Sequence, residues 1–321
     1  VVGMTRTAAV SGYIKLIGFD MGGTSTDVTH FNGEYERSFE TLIAGIRMRA
    51  PMMHIHTVAA GGGSILHFDG ARFRVGPDSA AANPGPACYR RSGPLTVTDC
   101  NLLLGRIQLD HFPKVFGENA NEALDSEAVK TGFSELANEI EMATGKEIGA
   151  EETALGFLRI AVENMANAIK KISVQRGYDV TEYTLNCFGG AGGQHACMVA
   201  DALGMEQIFI PPLAGVLSAY GMGLADLRCI AETQIERPLN DENVTYIEQI
   251  CLDLSHQTRN DILQQHVLES QLNTIKKVHI RYEGTDTALL LSLDSVSAMQ
   301  NEFEHKHRQR FGFIVKERSL L

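Results

Sequence analysis

One segment of the sequence combines a carboxylate, two glycines and several hydroxyl groups. It runs from Asp20 to Asp27 and reads Asp-Met-Gly-Gly-Thr-Ser-Thr-Asp. Glycines let a chain turn tightly and bring backbone N–H groups close to a phosphate, while a carboxylate binds Mg²⁺ or its water. The same residues also suit a plain β-hairpin turn in which Thr and Ser bond their own backbone. Asp27 could orient that hairpin or touch a metal, and the residues alone leave both interpretations open.

Two more glycine loops compete for a phosphate, at residues 61–63 and 189–193. Neither is a Walker A loop, because the sequence has no Gly-Lys-Ser/Thr; Lys146 follows Gly145 but precedes Glu147. The second loop is not a dinucleotide fingerprint either, because His195 stands where the third glycine belongs. Any phosphate binding here therefore belongs to another class of motif.

Polar residues around these loops have competing interpretations. His195 opens a helix and either packs at its start or contacts a nucleotide or substrate. Asp99 and Asn101 either cap a helix at 102–104 or serve a polar site. His54 and His56 would share one strand face, and packing is favoured over metal binding because no nearby Cys or carboxylate completes a ligand set.

The elements that must position these residues follow from periodicity. Strands are expected at 13–19, 28–31, 184–188 and 208–210, with a hairpin turn at Asn32-Gly33. Helices are expected at 118–143, 151–176 and 195–203, the last ending at Gly204. Strand, glycine loop, helix and strand in this order are typical of an α/β nucleotide-binding domain. The Pro-rich stretch 75–87 is expected to be an ordered loop or lid.

The second part of the chain is more polar. We expect a helix at 243–270, two strands at 277–282 and 288–293, and a helix at 297–310 in which His305 and His307 face solvent. The composition shift predicts two domains, 1–235 and 236–321.

Composition narrows the class of protein. The 321 residues carry 39 Asp+Glu against 28 Lys+Arg, a net charge of −11 that argues against nucleic acid or a membrane surface as partner. The sequence has no apolar run of about 18 residues and no signal-peptide pattern. Six scattered cysteines without a CxxC pair favour a reducing cytoplasm.

Together these motifs are similar to the hydantoinase A/5-oxoprolinase family of the actin-like ATPase superfamily. Residues 20–28 resemble its phosphate motif and residues 188–196 its adenosine loop. Gly-Gly-Gln-His at 192–195 resembles the 5-oxoprolinase form of that loop. Further matches follow in the family's order, at 56–65, 75–80, 83–89, 96–101, 163–165 and 281–286.

The resemblance implies a fold, a reaction and residue roles. The fold would be α/β, an actin-like ATPase (ribonuclease H-like) lobe with a mixed sheet and flanking helices, plus a smaller α+β C-terminal segment. The reaction would be ATP-dependent hydrolysis of a cyclic amide, 5-oxoproline to glutamate, through phosphorylation of the lactam oxygen. ATP and Mg²⁺ would be cofactors, with a hydantoinase B-type subunit or domain as partner. Catalysis would involve Asp20 (also the Mg²⁺ ligand), Thr24, Asp27 and His195, and nucleotide contacts would come from Gly22, Gly23, Thr24, Gly61, Gly62, Gly63, Gly189, Gly190, Ala191, Gly192 and Gly193.

The sequence departs from the family pattern in one respect. An actin-like ATPase uses two Asp-x-Gly-Gly-Thr elements, and this sequence contains only the one at Asp20. We therefore expect the second element upstream, and we expect the isolated chain to be inactive. An N-methylhydantoinase, an ATP-dependent carboxylase subunit of the same family, and a non-catalytic nucleotide-binding scaffold stay open as alternatives, and so does a homo-oligomer.

Overall fold

The computed structural model describes residues 1–43 and 45–321. Within these ranges the helices are α1 (Val2–Val10), α2 (Val97–Leu103), α3 (Ser126–Thr144), α4 (Ala150–Ile172), α5 (Ala196–Leu203), α6 (Leu217–Gly223), α7 (Asp241–Leu263) and α8 (Val296–Phe311). The strands are β1 (Lys15–Met21), β2 (Thr26–Asn32), β3 (Arg37–Ile43), β4 (Ile46–Met53), β5 (His56–Val58), β6 (Ser64–Phe68), β7 (Phe73–Ser79), β8 (Thr184–Phe188), β9 (Gln207–Phe209), β10 (Lys277–Ile280) and β11 (Leu289–Ser292). Among the helices so described, none has the length and apolar character needed to cross a membrane.

A five-stranded sheet carries the glycine loops, in the order β5-β2-β1-β8-β9. β1 is antiparallel to β2 and parallel to β8, which is in turn parallel to β9, so the predicted mixed sheet is confirmed. Leu16, Ile17 and Phe19 of β1 are fully buried. Such continuous burial is typical of a central strand that is covered on both faces.

Helix α4 provides much of the core of this lobe. It contacts β2, β5, β7 and the helices α2, α3 and α5. It ends at Ile172, short of the predicted 176, because the backbone leaves the helical region at Ser173. α3 begins at Ser126, later than predicted, because the Asp125 side chain accepts a hydrogen bond from the Ala128 N–H and caps the helix there.

A close helix crossing places α6 against α1. A Cβ atom on Gly3 would lie 2.6 Å from the carbonyl oxygen of Leu217, and one on Gly221 would lie 2.5 Å from the nitrogen of Gly3. Only glycine permits this approach. The crossing fixes α6, which carries Ser218 toward the end of β1.

Three local predictions need correction. Residues 32–33 form the predicted turn, which the antiparallel bridge Phe31–Tyr35 closes with Gly33 at φ +84°, but β3 then pairs with β4 and not with β2. Residues 75–79 of the Pro-rich stretch belong to β7. Among the described strands β7 pairs with β6 alone, so its other edge needs no donor and Pro77 is tolerated. His54 lies between β4 and β5, so it does not share a strand with His56.

The chain forms two compact units. The first comprises Val1–Val174 and Asp179–Leu224, and the second Gln175–Tyr178 and Ala225–Leu321. The division into domains 1–235 and 236–321 stays a prediction.

The second unit has its own α+β core. The antiparallel pair β10–β11 packs with α8 around buried residues that include Tyr282, Leu291 and Phe303. His307 was predicted to face solvent, but only 8% of it is exposed. Its ring contacts Tyr282 and Phe303, and its Nδ1 lies 2.8 Å from the Phe313 carbonyl oxygen, so packing overrides the charged sequence around it.

Candidate functional site

Asp20 lies at the carboxyl end of β1, between two neighbouring strands. It is opposite Asp27 of β2 and beside Phe188 of β8. Its Oδ2 accepts a hydrogen bond from the Ser218 hydroxyl over 3.3 Å. Because β1 and β8 are parallel, the loops that follow them start at one edge of the sheet, which is where open α/β sheets bind ligands.

The electrostatic surroundings of Asp20 favour a cation. Burial raises the pKa of this carboxyl, the Ser218 hydroxyl lowers it, and the charge of Asp27 raises it further. The net effect is a raised pKa, because removal from water outweighs the stabilising contacts. A bound cation would favour the ionised carboxylate.

The turn at residues 22–25 follows Asp20 directly. Its ends are closed by the Gly22 N–H, which donates to the Ser25 carbonyl over 3.0 Å. Within the described residues, the N–H groups of Gly23, Thr24 and Ser25 have no hydrogen-bond partner. Gly23 and Thr24 are exposed, and a Cβ atom on Gly23 would meet nothing within 4 Å. Three successive amides of this kind form an anion-binding surface.

The loop at 61–63 lies directly against this turn. The N–H groups of Gly62 and Gly63 donate to the carbonyls of Gly22 and Gly23, over 3.1 and 2.6 Å. The Gly61 N–H donates to the Ser64 hydroxyl over 2.9 Å. All three amides are therefore used within the protein and support the turn. Direct nucleotide contacts of Gly61, Gly62 and Gly63 stay a prediction.

The third loop, 189–193, follows β8 and reaches the same place. The Ala191 N–H donates to the Met21 carbonyl over 3.0 Å. Gly189 has φ +86°, and a Cβ atom there would lie 2.5 Å from Asp20 Oδ1, so this position excludes side chains. Gly190 and Gly193 are exposed, and their N–H groups have no partner within the described part of the chain. The structure thus brings all three predicted loops together around Asp20.

His195 follows the third loop but does not point a free ring into it. The residue is fully buried, and its Nε2 lies 3.0 Å from the Asn101 side-chain nitrogen, which donates to it when the ring is neutral. A catalytic role for His195 stays a prediction. The Asp27 carboxylate likewise has a partner, since its Oδ1 accepts a hydrogen bond from the Thr57 hydroxyl over 2.6 Å.

Asp99 was considered as a cap of a helix at 102–104, and the structure corrects this. α2 already begins at Val97, with Thr96 as N-cap and Asp99 reciprocally bonded in a capping box. The fully buried Asp99 carboxylate also accepts hydrogen bonds from the N–H groups of Ala87 and Cys88. It therefore anchors the end of the Pro-rich stretch.

The buried His195 has a consequence for stability. Its pKa is lowered to about 4, first because burial disfavours the charged ring and second because Arg106 repels it. An unfolded histidine binds a proton near pH 6.5, so between about pH 6.5 and 4 the unfolded state takes up more protons and the free energy of unfolding falls as pH falls. At pH 4.5 this loss amounts to about 2 kcal/mol.

We expect His195→Gln to lack this loss. Urea unfolding at pH 7.5 and 4.5 measures the free energy of unfolding of both proteins. At pH 7.5 the variant should be less stable than wild type, and this difference in the free energy of unfolding should be smaller by about 2 kcal/mol at pH 4.5. Comparison at both pH values cancels the contributions of Asp20 and Asp99, which both proteins share. A gap of equal size at both pH values would contradict a neutral, buried His195.

The fold and the loops define the class of this protein. A mixed sheet whose central strands end in glycine loops beside a carboxylate is the predicted actin-like ATPase architecture. The Hydantoinase/oxoprolinase family matches residues 1–231. The chain belongs to this family.

Comparisons with particular proteins agree. The chain is 42% identical over 310 residues to a 5-oxoprolinase of Dictyostelium discoideum, a match covering 95% of this chain and 24% of that protein. It is 30% identical over 317 residues to the caprolactamase subunit alpha of Pseudomonas jessenii, covering 94% of this chain and 44% of that subunit. The crystal structure of the ATP-dependent caprolactamase from Pseudomonas jessenii superposes with a TM-score of 0.84 at 29% identity, covering 99% of this chain and 47% of that one. The chain thus spans about a quarter of the length of the 5-oxoprolinase it matches.

Sequence reasoning missed the residues that reach the site from a distance. Ser218 is 198 positions from Asp20, and Thr57 is 30 positions from Asp27. Thr57 lies within the motif 56–65, but nothing in that motif indicates that its hydroxyl meets Asp27, and Ser218 lies outside the matched motifs. Only the crossing of α1 with α6 and the pairing of β2 with β5 bring them in.

Proposed function

We propose that this chain supplies phosphate- and adenosine-binding loops of an ATP-dependent cyclic amide hydrolase, whose full-length protein opens 5-oxoproline to glutamate. The observation that carries the proposal is the convergence of the loops 22–25, 61–63 and 189–193 on Asp20. The match to a 5-oxoprolinase over 95% of the chain supports the choice of substrate.

The residues present fit a nucleotide with its metal. The free N–H groups of Gly23, Thr24 and Ser25 would hold phosphate oxygens, and the exposed loop around Gly190 would hold the adenosine side. Asp20 would hold Mg²⁺ or a water bound to it, because its partly buried carboxylate has no lysine or arginine partner among the described residues. Mg²⁺ would supply positive charge that offsets the triphosphate.

The chemistry explains why a nucleotide is needed. An unstrained lactam is stabilised by resonance, and its amine is a poor leaving group. Transfer of the γ-phosphoryl group to the lactam oxygen releases ADP and makes the ring carbon electrophilic. Water then adds to that carbon, and the C–N bond breaks as the nitrogen takes up a proton, which opens the ring and leaves an acyl phosphate. A second water hydrolyses the acyl phosphate to the carboxylate and free phosphate. The protein's part in the first step is to position the reactants and to stabilise charge. We assign the attack of water to a hydantoinase B-type subunit or domain, which the alpha-subunit name of the P. jessenii relative supports.

The test is ADP release by the full-length polypeptide that contains this chain, measured with Mg²⁺-ATP in the presence and absence of 5-oxoproline. We expect ADP formation that depends on 5-oxoproline and is matched by glutamate. Equal ADP formation without the lactam, or none in its presence, would contradict the proposal.

A panel of ring substrates separates this function from its alternatives. Caprolactam is the strongest competitor, because the similar solved structure is that of a caprolactamase. Hydantoins and ketones test the N-methylhydantoinase and carboxylase alternatives. A non-catalytic scaffold would bind nucleotide and release no ADP with any of them.

A further inference from the structure

Helix α2 holds two of the three loops from one side. Both the backbone N–H and the hydroxyl of Thr98 donate to the Gly62 carbonyl, over 2.7 and 2.8 Å. One helical turn further on, the side-chain amide of Asn101 donates to Gln194 Oε1 and lies within hydrogen-bond distance of His195 Nε2, each at 3.0 Å. The helix thereby touches the loop behind the phosphate turn and the end of the loop after β8.

The two ends of this connection lead directly to the candidate site. Gly62 donates to the Gly22 carbonyl in the turn after Asp20. Gln194 and His195 end the glycine loop 189–193, and Arg106 also donates to the Gln194 carbonyl over 2.9 Å. Asn101 therefore contacts the residue that follows the adenosine loop, while Thr98, one turn earlier in the same helix, is linked through Gly62 to the phosphate turn.

Burial makes the Asn101 contacts strong constraints. Asn101 and His195 are both fully buried, so water cannot replace a lost hydrogen bond at either side chain. Gln194 is partly exposed, and its hydrogen bond to Asn101 restricts the positions that the exposed residues of the loop 189–193 can take. Asn101 is too deeply buried to reach a ligand itself, which assigns it an indirect role.

We propose that Asn101 is a positioning residue that fixes the loop 189–193 relative to the phosphate turn, so that both ends of one nucleotide are held at once. The proposal rests on the proposed function, because it assumes that the two loops bind the same nucleotide. It adds a residue outside the glycine motifs to the determinants of nucleotide affinity.

The test compares Asn101→Ala with wild type in the full-length polypeptide. Calorimetric titration with Mg²⁺-ADP gives the nucleotide affinity, and steady-state kinetics give KM for ATP, KM for the lactam and kcat. We expect the Kd for Mg²⁺-ADP and the KM for ATP to rise about tenfold, which is the loss of one net hydrogen bond. We expect kcat and the KM for the lactam to stay within about twofold, because the proposed contact positions the nucleotide only.

Leu102→Ala is the matched control. Leu102 is a buried apolar residue of the same helix whose side chain makes no hydrogen bond, so its truncation weakens helix packing and leaves the contacts to both loops. We expect it to lower Tm and to leave the Kd for Mg²⁺-ADP unchanged. An equal loss of affinity in both variants would reduce Asn101 to a structural residue and overturn the proposal.

His195→Ala keeps the test informative if Asn101→Ala folds poorly. It removes the other partner of the buried contact and should by itself weaken Mg²⁺-ADP binding. Where both single variants fold, the double variant should bind Mg²⁺-ADP no more weakly than the worse single variant, because the two side chains act as one unit. Wild-type affinity for Mg²⁺-ADP in a folded Asn101→Ala variant would overturn the positioning role and leave the proposed function standing. Failure of the wild-type polypeptide to bind Mg²⁺-ADP would overturn the proposed function together with it.

Discussion

Replacement of Asp20 by asparagine is expected to lower the rate of lactam-dependent ADP release by the full-length polypeptide by about 10²–10³-fold, the loss seen when one group that stabilises transition-state charge is removed. Asparagine has the shape of aspartate and keeps an oxygen for the Ser218 hydroxyl. It cannot carry the negative charge that holds a cation. Because burial raises the pKa of Asp20, loss of the charge should not destabilise the fold.

The measurement is kcat with saturating Mg²⁺-ATP and 5-oxoproline, accompanied by circular dichroism and Tm. Asp69→Asn is the control, since Asp69 is a carboxylate in the turn between β6 and β7 whose contacts are local: it accepts from the N–H groups of Ala71 and Arg72 and forms an ion pair with the Arg72 side chain. It should keep turnover within about twofold. A folded Asp20→Asn variant with more than half of wild-type turnover would remove Asp20 from the site.

Replacement of Gly61 by alanine is expected to disturb the phosphate turn from behind. The new Cβ atom would lie 2.6 Å from the carbonyl carbon of Thr24 and 2.7 Å from the Gly23 oxygen, and these are backbone atoms that cannot rotate away. The turn must shift, and a displacement of about 1 Å can cost about 10²-fold in rate. We expect kcat/KM for ATP to fall by that amount and the free energy of unfolding by about 1–3 kcal/mol.

This clash can be separated from backbone strain. Gly61 does not have positive φ, so alanine can adopt its backbone conformation. Gly149→Ala is the control: it also has negative φ, and its Cβ atom would meet nothing within 4 Å. Nucleotide affinity and urea unfolding should both change in Gly61→Ala and hardly in Gly149→Ala. A Gly61→Ala variant with unchanged affinity would mean that the loop 61–63 does not support the phosphate turn.

The sequence predicted the parts of the site that are local in the chain. Asp20 and the turn after it are adjacent residues whose types determine a strand end and a tight turn. The prediction that α5 ends at Gly204 is confirmed, because its φ of +69° is a local property of glycine. The parallel neighbours β8 and β9 agree with the predicted order of strand, glycine loop, helix and strand. The parallel pairing of β1 with β8, which brings the loops together, joins distant segments and was not predicted.

The remaining features depend on contacts between distant segments. The amides of 61–63 looked available to a phosphate, but those of Gly62 and Gly63 donate to the turn at 22–25, about forty residues earlier in the chain, and that of Gly61 donates to the Ser64 hydroxyl. His307 lies in a charged segment, yet its ring packs against those of Tyr282, which follows β10, and Phe303 of α8. After the bridge between Phe31 and Tyr35, β3 pairs with the following strand β4 and not with β2. Hydrogen bonds and ring contacts between distant segments produce no pattern in the residues next to them in the sequence, so they could not be predicted.

The central claim is that one nucleotide lies across the loops around Asp20. A crystal structure of the full-length polypeptide with Mg²⁺ and a non-hydrolysable ATP analogue tests it most directly. We predict phosphate oxygens within hydrogen-bond distance of the N–H groups of Gly23 and Thr24, Mg²⁺ or its water at the Asp20 carboxylate, and the adenosine beside the loop 189–193. A nucleotide bound away from these loops, with the N–H groups of Gly23 and Thr24 still without a partner, would contradict it.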